Sequence, residues 1–147
     1  MLLRTIIACI AICLTAGAVM SQSDPIAARK AMMKGNIQNA GAMVKMIKGE
    51  TAFDAAKVQA AFAQWAETAE KFPGLFPDNS KTGGDTRAAP KVWQSKKDFD
   101  EKAASFGKAV ADTRDKAIAS LDGLKAAIPV IGKTCDNCHE DYRLAKQ

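Results

Sequence analysis

The sequence predicts an all-α chain, an antiparallel up-down four-helix bundle. Four long stretches carry apolar residues at helical spacing, no stretch alternates as a strand would, and the connections are two short and one long. The first helix opens at Asp24-Pro25, an N-cap followed by proline at the first helical position. Its stripe is Ile26, Met33, Ile37, Ala40, Val44 and Ile47, and it ends near Lys48-Gly49. The second runs from about Asp54 to Phe72 through Val58, Phe62, Trp65, Ala69 and Phe72, with Pro73 as its stop. From Pro73 to Gln94 the pattern gives way to Pro, Gly, Asp, Asn and Ser. Connections of that length are uncommon in compact domains and usually functional. Leu75, Phe76 and Trp93 within it are expected to fold back onto the core.

The third helix is expected from about Ser95 to Ala119, on Phe99, Ala103, Phe106, Val110 and Ala117. The fourth runs from Ser120–Asp122 to about Ala145 with Leu121, Leu124, Ile128, Ile131, Cys135, Cys138 and Tyr142 on one face. Pro129 should bend or loosen it.

Residues 1–21 stand apart as a secretory signal peptide. A short basic start ending in Arg4 precedes an almost wholly apolar run from Thr5 to Ala16, with small residues for cleavage somewhere in 18–23. The apolar run is too short for a retained membrane span, so no stable membrane insertion and a periplasmic destination are expected. Residues 22–147 form the bundle domain. Cleavage removes Cys9 and Cys13, leaving Cys135 and Cys138, a poor basis for a disulfide framework. It leaves 20 basic against 16 acidic residues, with lysines scattered along the chain. That pattern suits a solvated surface and excludes a nucleic-acid footprint.

Cys135-Asp136-Asn137-Cys138-His139 is the attachment pattern of a c-type haem. Residues three apart share a helix face, so both thiols can add to the vinyl groups along one porphyrin edge. The adjacent His139 can then take one axial position on the iron. The cofactor is therefore one covalently attached haem c near one end of the bundle. A zinc site needs about four ligands where three are offered, and a thioredoxin-like dithiol needs a βαβ setting.

His139 is the sole histidine, so the opposite axial position is open to methionine or to nothing. In an up-down bundle the end of the fourth helix lies beside the start of the first. Met33 and His139 are each about 12 Å from that shared end. Met43 and Met46 sit roughly 15–20 Å further along. Met32 is turned about 100° from the stripe that Met33 shares with Ile26, Ile37 and Ala40. Met33 is therefore the candidate second ligand, with core filler as the alternative. Arg29, one turn earlier, is a candidate contact for a haem propionate, the alternative being an ordinary solvated arginine.

The mature chain resembles class II c-type cytochromes, the cytochrome c prime group. The resemblance rests on Cys135 to Arg143, the Arg29-x-x-x-Met33 pair, Lys48-Gly49-Glu50, Gly83-Gly84-Asp85 and Pro90-Lys91-Val92-Trp93. It is closest to the low-spin, cytochrome c-556 branch, which Lys48 to Asp54, Phe72 to Asp78 and Ile131-Gly132-Lys133 also resemble. Met33 falls where that branch has its axial methionine. The resemblance implies a periplasmic electron carrier, not an enzyme, exchanging electrons with redox partner proteins as a monomer or homodimer. A first-helix face with Met43, Met46 and Ile47 is a candidate dimer surface. The alternative is a five-coordinate protein that binds nitric oxide or carbon monoxide at the distal face.

Overall fold

The computed structural model describes residues 24–145. Its α-helices are α1 (Pro25–Ile47), α2 (Ala55–Lys71), α3 (Lys91–Gln94), α4 (Lys96–Ala119) and α5 (Leu121–Tyr142). The four long helices form the bundle: α1 packs on α2 and α5, α2 on α4, and α4 on α5. The expected architecture and the first three helix spans are present, but α5 ends at Tyr142, short of Ala145. The signal-peptide assignment falls outside the described residues.

Local chemistry sets the helix ends. Asp24 Oδ1 accepts from the Ile26 amide at 2.9 Å, and Asp54 Oδ1 accepts from that of Lys57 at 3.1 Å. Gly49, at φ 74°, lets the chain turn past α1 while the Glu50 amide closes on the Lys45 carbonyl at 2.9 Å. Ser120 is extended and caps α5 by accepting the Gly123 amide at 3.0 Å, so a single residue reverses the chain between α4 and α5. Pro129 lies inside α5, which continues through it as helix to Tyr142. Three further turns beyond the proline keep their own hydrogen bonds, so the missing donor costs one rung and not the helix.

The long connection is ordered. It holds two 3-10 turns (Phe72–Leu75 and Asp78–Ser80), a glycine corner at Gly83-Gly84, and α3, which periodicity does not reveal in four residues. The Ala89 amide donates to the Tyr142 carbonyl at 2.9 Å and the Leu144 amide to the Arg87 carbonyl at 2.8 Å. These bonds make an isolated antiparallel bridge between Ala88 and Arg143. Phe76 and Val92 from this segment join Phe99 and Tyr142 in one buried cluster, with Leu75 and Trp93 packed against it. The larger core cluster holds Phe62, Trp65, Val110, Leu124 and Ile131.

Two expectations for α1 need correction. Met43 and Met46 are buried members of the larger core cluster, so they do not present a dimer surface. Ile37, expected on the core stripe, is 71 % exposed. No residue of α1 between Arg29 and Met43 is fully buried, because that stretch borders an open cleft instead of neighbouring side chains.

Arg29 is not a solvated arginine. It is 5 % exposed and wrapped by the long connection. Nη1 donates to the Leu75 carbonyl at 3.0 Å and Ser80 Oγ at 2.9 Å. Nη2 donates to the Ser80 carbonyl at 3.0 Å and Thr86 Oγ1 at 3.1 Å. The guanidinium also stands 4.5 Å from the Phe76 ring centre. Four of its five N–H donors are thus used on the loop, and burial pulls its pKa below the ordinary arginine value.

Arg29→Met should therefore destabilise the fold by about 2–4 kcal/mol, since two buried carbonyls lose their donor. Amide exchange of residues 75–86 should rise more than that of α2 or α4, and uniform exchange would refute the clamp. A Cβ at Gly123 would lie 1.9 Å from the Lys116 carbonyl oxygen. Because that contact is with backbone, Gly123→Ala should cost about 1–3 kcal/mol in a denaturant melt.

Candidate functional site

The cleft beside α1 is walled by α1, α2, α4, α5 and the Phe76–Val92 segment, with a volume of about 930 Å³. That is the size range of pockets for small molecules and cofactors. Arg29, Met33, Cys135, Cys138 and His139, picked from positions up to 110 residues apart, all line it. The walls between them are mainly apolar, including Trp65, Phe72, Phe76, Phe99, Phe106 and Ile131. Phe76 sits edge-on to Phe72, Trp93 and Phe99, with ring centres 5.1, 5.7 and 4.9 Å apart. Interlocked rings of this kind hold a wall in shape.

α5 sets the spacing of the donor groups. Cys135 and Cys138 lie one turn apart on the cleft face, both half-buried and unpaired. Burial pushes both thiols above the ordinary cysteine value, so each is a neutral S–H. Burial also lowers the His139 pKa, reinforced by Arg143, which favours the neutral imidazole with a lone pair to donate. One turn earlier, a Cβ at Gly132 would meet nothing within 4 Å, so α5 presents open space to the cleft there.

This donor set and cavity fit haem c. Two neutral thiols stand one turn apart for covalent attachment, a neutral imidazole adjoins them, and an apolar slot lies beneath. Among the described residues no group of three or more His, Cys, Asp or Glu side chains is arranged to hold a metal ion by itself.

Several contributors carry no motif. Asp141 receives Lys91 Nζ at 2.6 Å and Lys102 Nζ at 2.7 Å, which hold its carboxyl at about 2. Lys102 also donates to the Asn137 carbonyl at 3.2 Å, inside the Cys-x-x-Cys-His segment. The end of α5 is thereby tied to α3 and α4 through residues 35 to 50 positions away. The Tyr142 hydroxyl donates to Asp98, giving α5 a second anchor on α4. An amide cluster of Asn36, Asn39 and Gln64 with Thr68 joins α1 to α2 at the cleft wall. Such pairings join distant positions by side-chain geometry, and periodicity contains no sign of them.

Among the described residues no helix is long and apolar enough to cross a membrane. A family model described as Cytochrome C' matches residues 24–143. A cytochrome c-556 of Rhodopseudomonas palustris is 42 % identical over 146 residues, covering 97 % of each chain. A cytochrome c' of the same organism is 41 % identical over 133 residues, covering 90 % of each. The solved cytochrome c' of Rhodopseudomonas palustris superposes with a TM-score of 0.79 at 40 % identity, covering 86 % of this chain and all of that one. The structural model of oxidized cytochrome c556 from that organism gives 0.76 at 38 % identity with the same coverage. With its cleft, its paired thiols and these relatives, the chain belongs to the cytochrome c' family and carries covalently attached haem c.

Proposed function

We propose that this protein is an exported, periplasmic electron carrier with one low-spin haem whose axial ligands are His139 and Met33. The observation that carries the reading is that Met33 from α1 and His139 from α5 line one cleft. The 42 % identity to a protein named cytochrome c-556 supports it.

The chain's own groups divide the work. When bound, haem c supplies an iron that alternates between ferric and ferrous. Cys135 and Cys138 hold the group by two thioethers, so it cannot dissociate. His139 offers a neutral nitrogen, and Met33 a thioether, which favours the ferrous state over a second nitrogen donor. The aromatic wall excludes water, and the Arg29 clamp keeps the wall in place. No substrate is transformed in this account, so the protein is a carrier and not an enzyme. Residues 1–21 serve as the export signal and 22–147 as the carrier domain. Redox partner proteins exchange electrons with it, and its own assembly is a monomer or a homodimer. The further expectation that Arg29 contacts a propionate is limited to Nε, the nitrogen left after the four bonds to the loop.

A second reading has its own support. The cytochrome c' at 41 % identity is as similar as the c-556, and Met33 is only half-buried at the cleft. In that reading Met33 guards a five-coordinate iron that takes nitric oxide or carbon monoxide.

Absorption spectra of the purified holoprotein in both oxidation states, with and without carbon monoxide, separate the two. The carrier is expected to be low-spin and unmoved by carbon monoxide; a high-spin ferric spectrum with ready carbon monoxide binding would sink it. Met33→Ala should convert the low-spin iron to high spin, and an unchanged spectrum would remove Met33 as ligand. Cys138→Ala should leave the haem attached by one thioether with one vinyl group unreacted, detectable as a red shift of the pyridine haemochrome band; an unshifted band would contradict the second link.

A further inference from the structure

The contact between α1 and α2 along the cleft is polar. Asn39 Nδ2 donates to Gln64 Oε1 at 2.9 Å, and Gln64 Nε2 donates to Asn36 Oδ1 at 3.3 Å. The buried Thr68 hydroxyl lies 3.1 Å from the same Asn36 oxygen, shared with the Gln64 carbonyl at 2.9 Å. Each amide fixes the orientation of the next, so the Asn36 oxygen is turned to α2. Its two N–H donors make no hydrogen bond among the described residues, and Asn36 lines the cleft.

Gly35 makes the arrangement possible. A Cβ there would lie 2.1 Å from Gln64 Nε2, so any side chain would push Gln64 off Asn36. A glycine in the middle of a helix costs roughly 0.5–1 kcal/mol relative to alanine. Here that cost is offset by the approach of Gln64.

Asn36 is three residues beyond Met33, on the same face of α1. Helical side chains lean toward the N-terminus, so the Asn36 amide lies over the turn that carries Met33. We infer that Asn36 is a positioning residue for the distal ligand: its free Nδ2, which bonds nothing among the described residues, is the donor that would reach the Met33 sulfur once haem is held in the cleft. This rests on Met33 being the second axial ligand. The bond draws electron density from the thioether, which weakens its donation to ferric iron more than to ferrous iron. The bound group is then easier to reduce, as outer-shell hydrogen bonds to metal ligands generally tune the metal.

Spectroelectrochemical titration of the holoprotein tests this with two variants. Asn36→Leu keeps the size of the side chain and removes the donor. Gly35→Ala displaces Gln64 without altering any cleft residue. Both are expected to stay low-spin and to titrate at a lower potential. At the wild-type midpoint the ferrous-to-ferric ratio should fall roughly threefold or more in Asn36→Leu, and in the same direction by less in Gly35→Ala. A merely structural role would change the melting temperature and leave the midpoint alone. Low-spin spectra with unchanged midpoints would overturn the inference while leaving His139 and Met33 as ligands. A high-spin wild-type protein would overturn the ligand reading and this inference with it. Should Asn36→Leu not fold, the Gly35→Ala midpoint decides by the same criterion.

Discussion

A guanidinium held by carbonyl and hydroxyl oxygens is buried between α1 and the long connection, and the geometry of the cleft depends on it. Arg29 satisfies most of its donors on carbonyl and hydroxyl oxygens of Leu75, Ser80 and Thr86. Burying a charge is costly unless it is well hydrogen-bonded, so the loop must close around this side chain in one way. Closing it puts Phe76 and Val92 against Phe99 and Tyr142, which makes the wall of the cavity. The wall in turn holds the last turns of α5, where both thiols and the imidazole stand. One buried cation thus connects the longest irregular segment to the site.

The opposite wall follows a different logic. Between Arg29 and Met43 the α1 helix gives up burial, and Ile37 stays exposed at the mouth of the cleft. A bundle that closed this gap with side chains would gain apolar contact and lose its cofactor. The fold instead leaves the gap and recovers stability in the larger cluster, where Met43, Met46, Phe62 and Leu124 are buried to within 3 % of exposure or less.

Much of this was legible in the chain, for identifiable reasons. Helical periodicity survives in α2, α4 and α5, where Val58, Phe62, Trp65 or Leu124, Ile131, Tyr142 are buried and repeat as a core stripe must. The same rule misjudged α1, since periodicity registers an apolar face without saying whether protein or cofactor covers it. Ile37 fits the stripe and meets open cleft. Met43 and Met46 miss it and are core. Cys135, Cys138 and His139 were readable because attachment chemistry demands fixed spacing on one helix. Arg29 was readable as a residue near the site but not as the clamp on the long connection, because its partners arise from a loop whose path depends on side-chain bonds. Lys102, Asp141 and Gln64 were invisible for the same reason.

The amide ladder between α1 and α2 also acts as a key that sets how far the two helices are slid along each other. Apolar surfaces tolerate a one-turn slip, about 5.4 Å, with modest loss because methyl groups are interchangeable. Asn36, Asn39, Gln64 and Thr68 are not: a shift by a turn would break the present set of bonds, and a buried polar group left unpaired costs roughly 1–3 kcal/mol. The ladder therefore indexes the helix that bears Met33 against the frame that bears His139. Two groups far apart in the chain keep a constant separation because four uncharged polar side chains accept only one alignment.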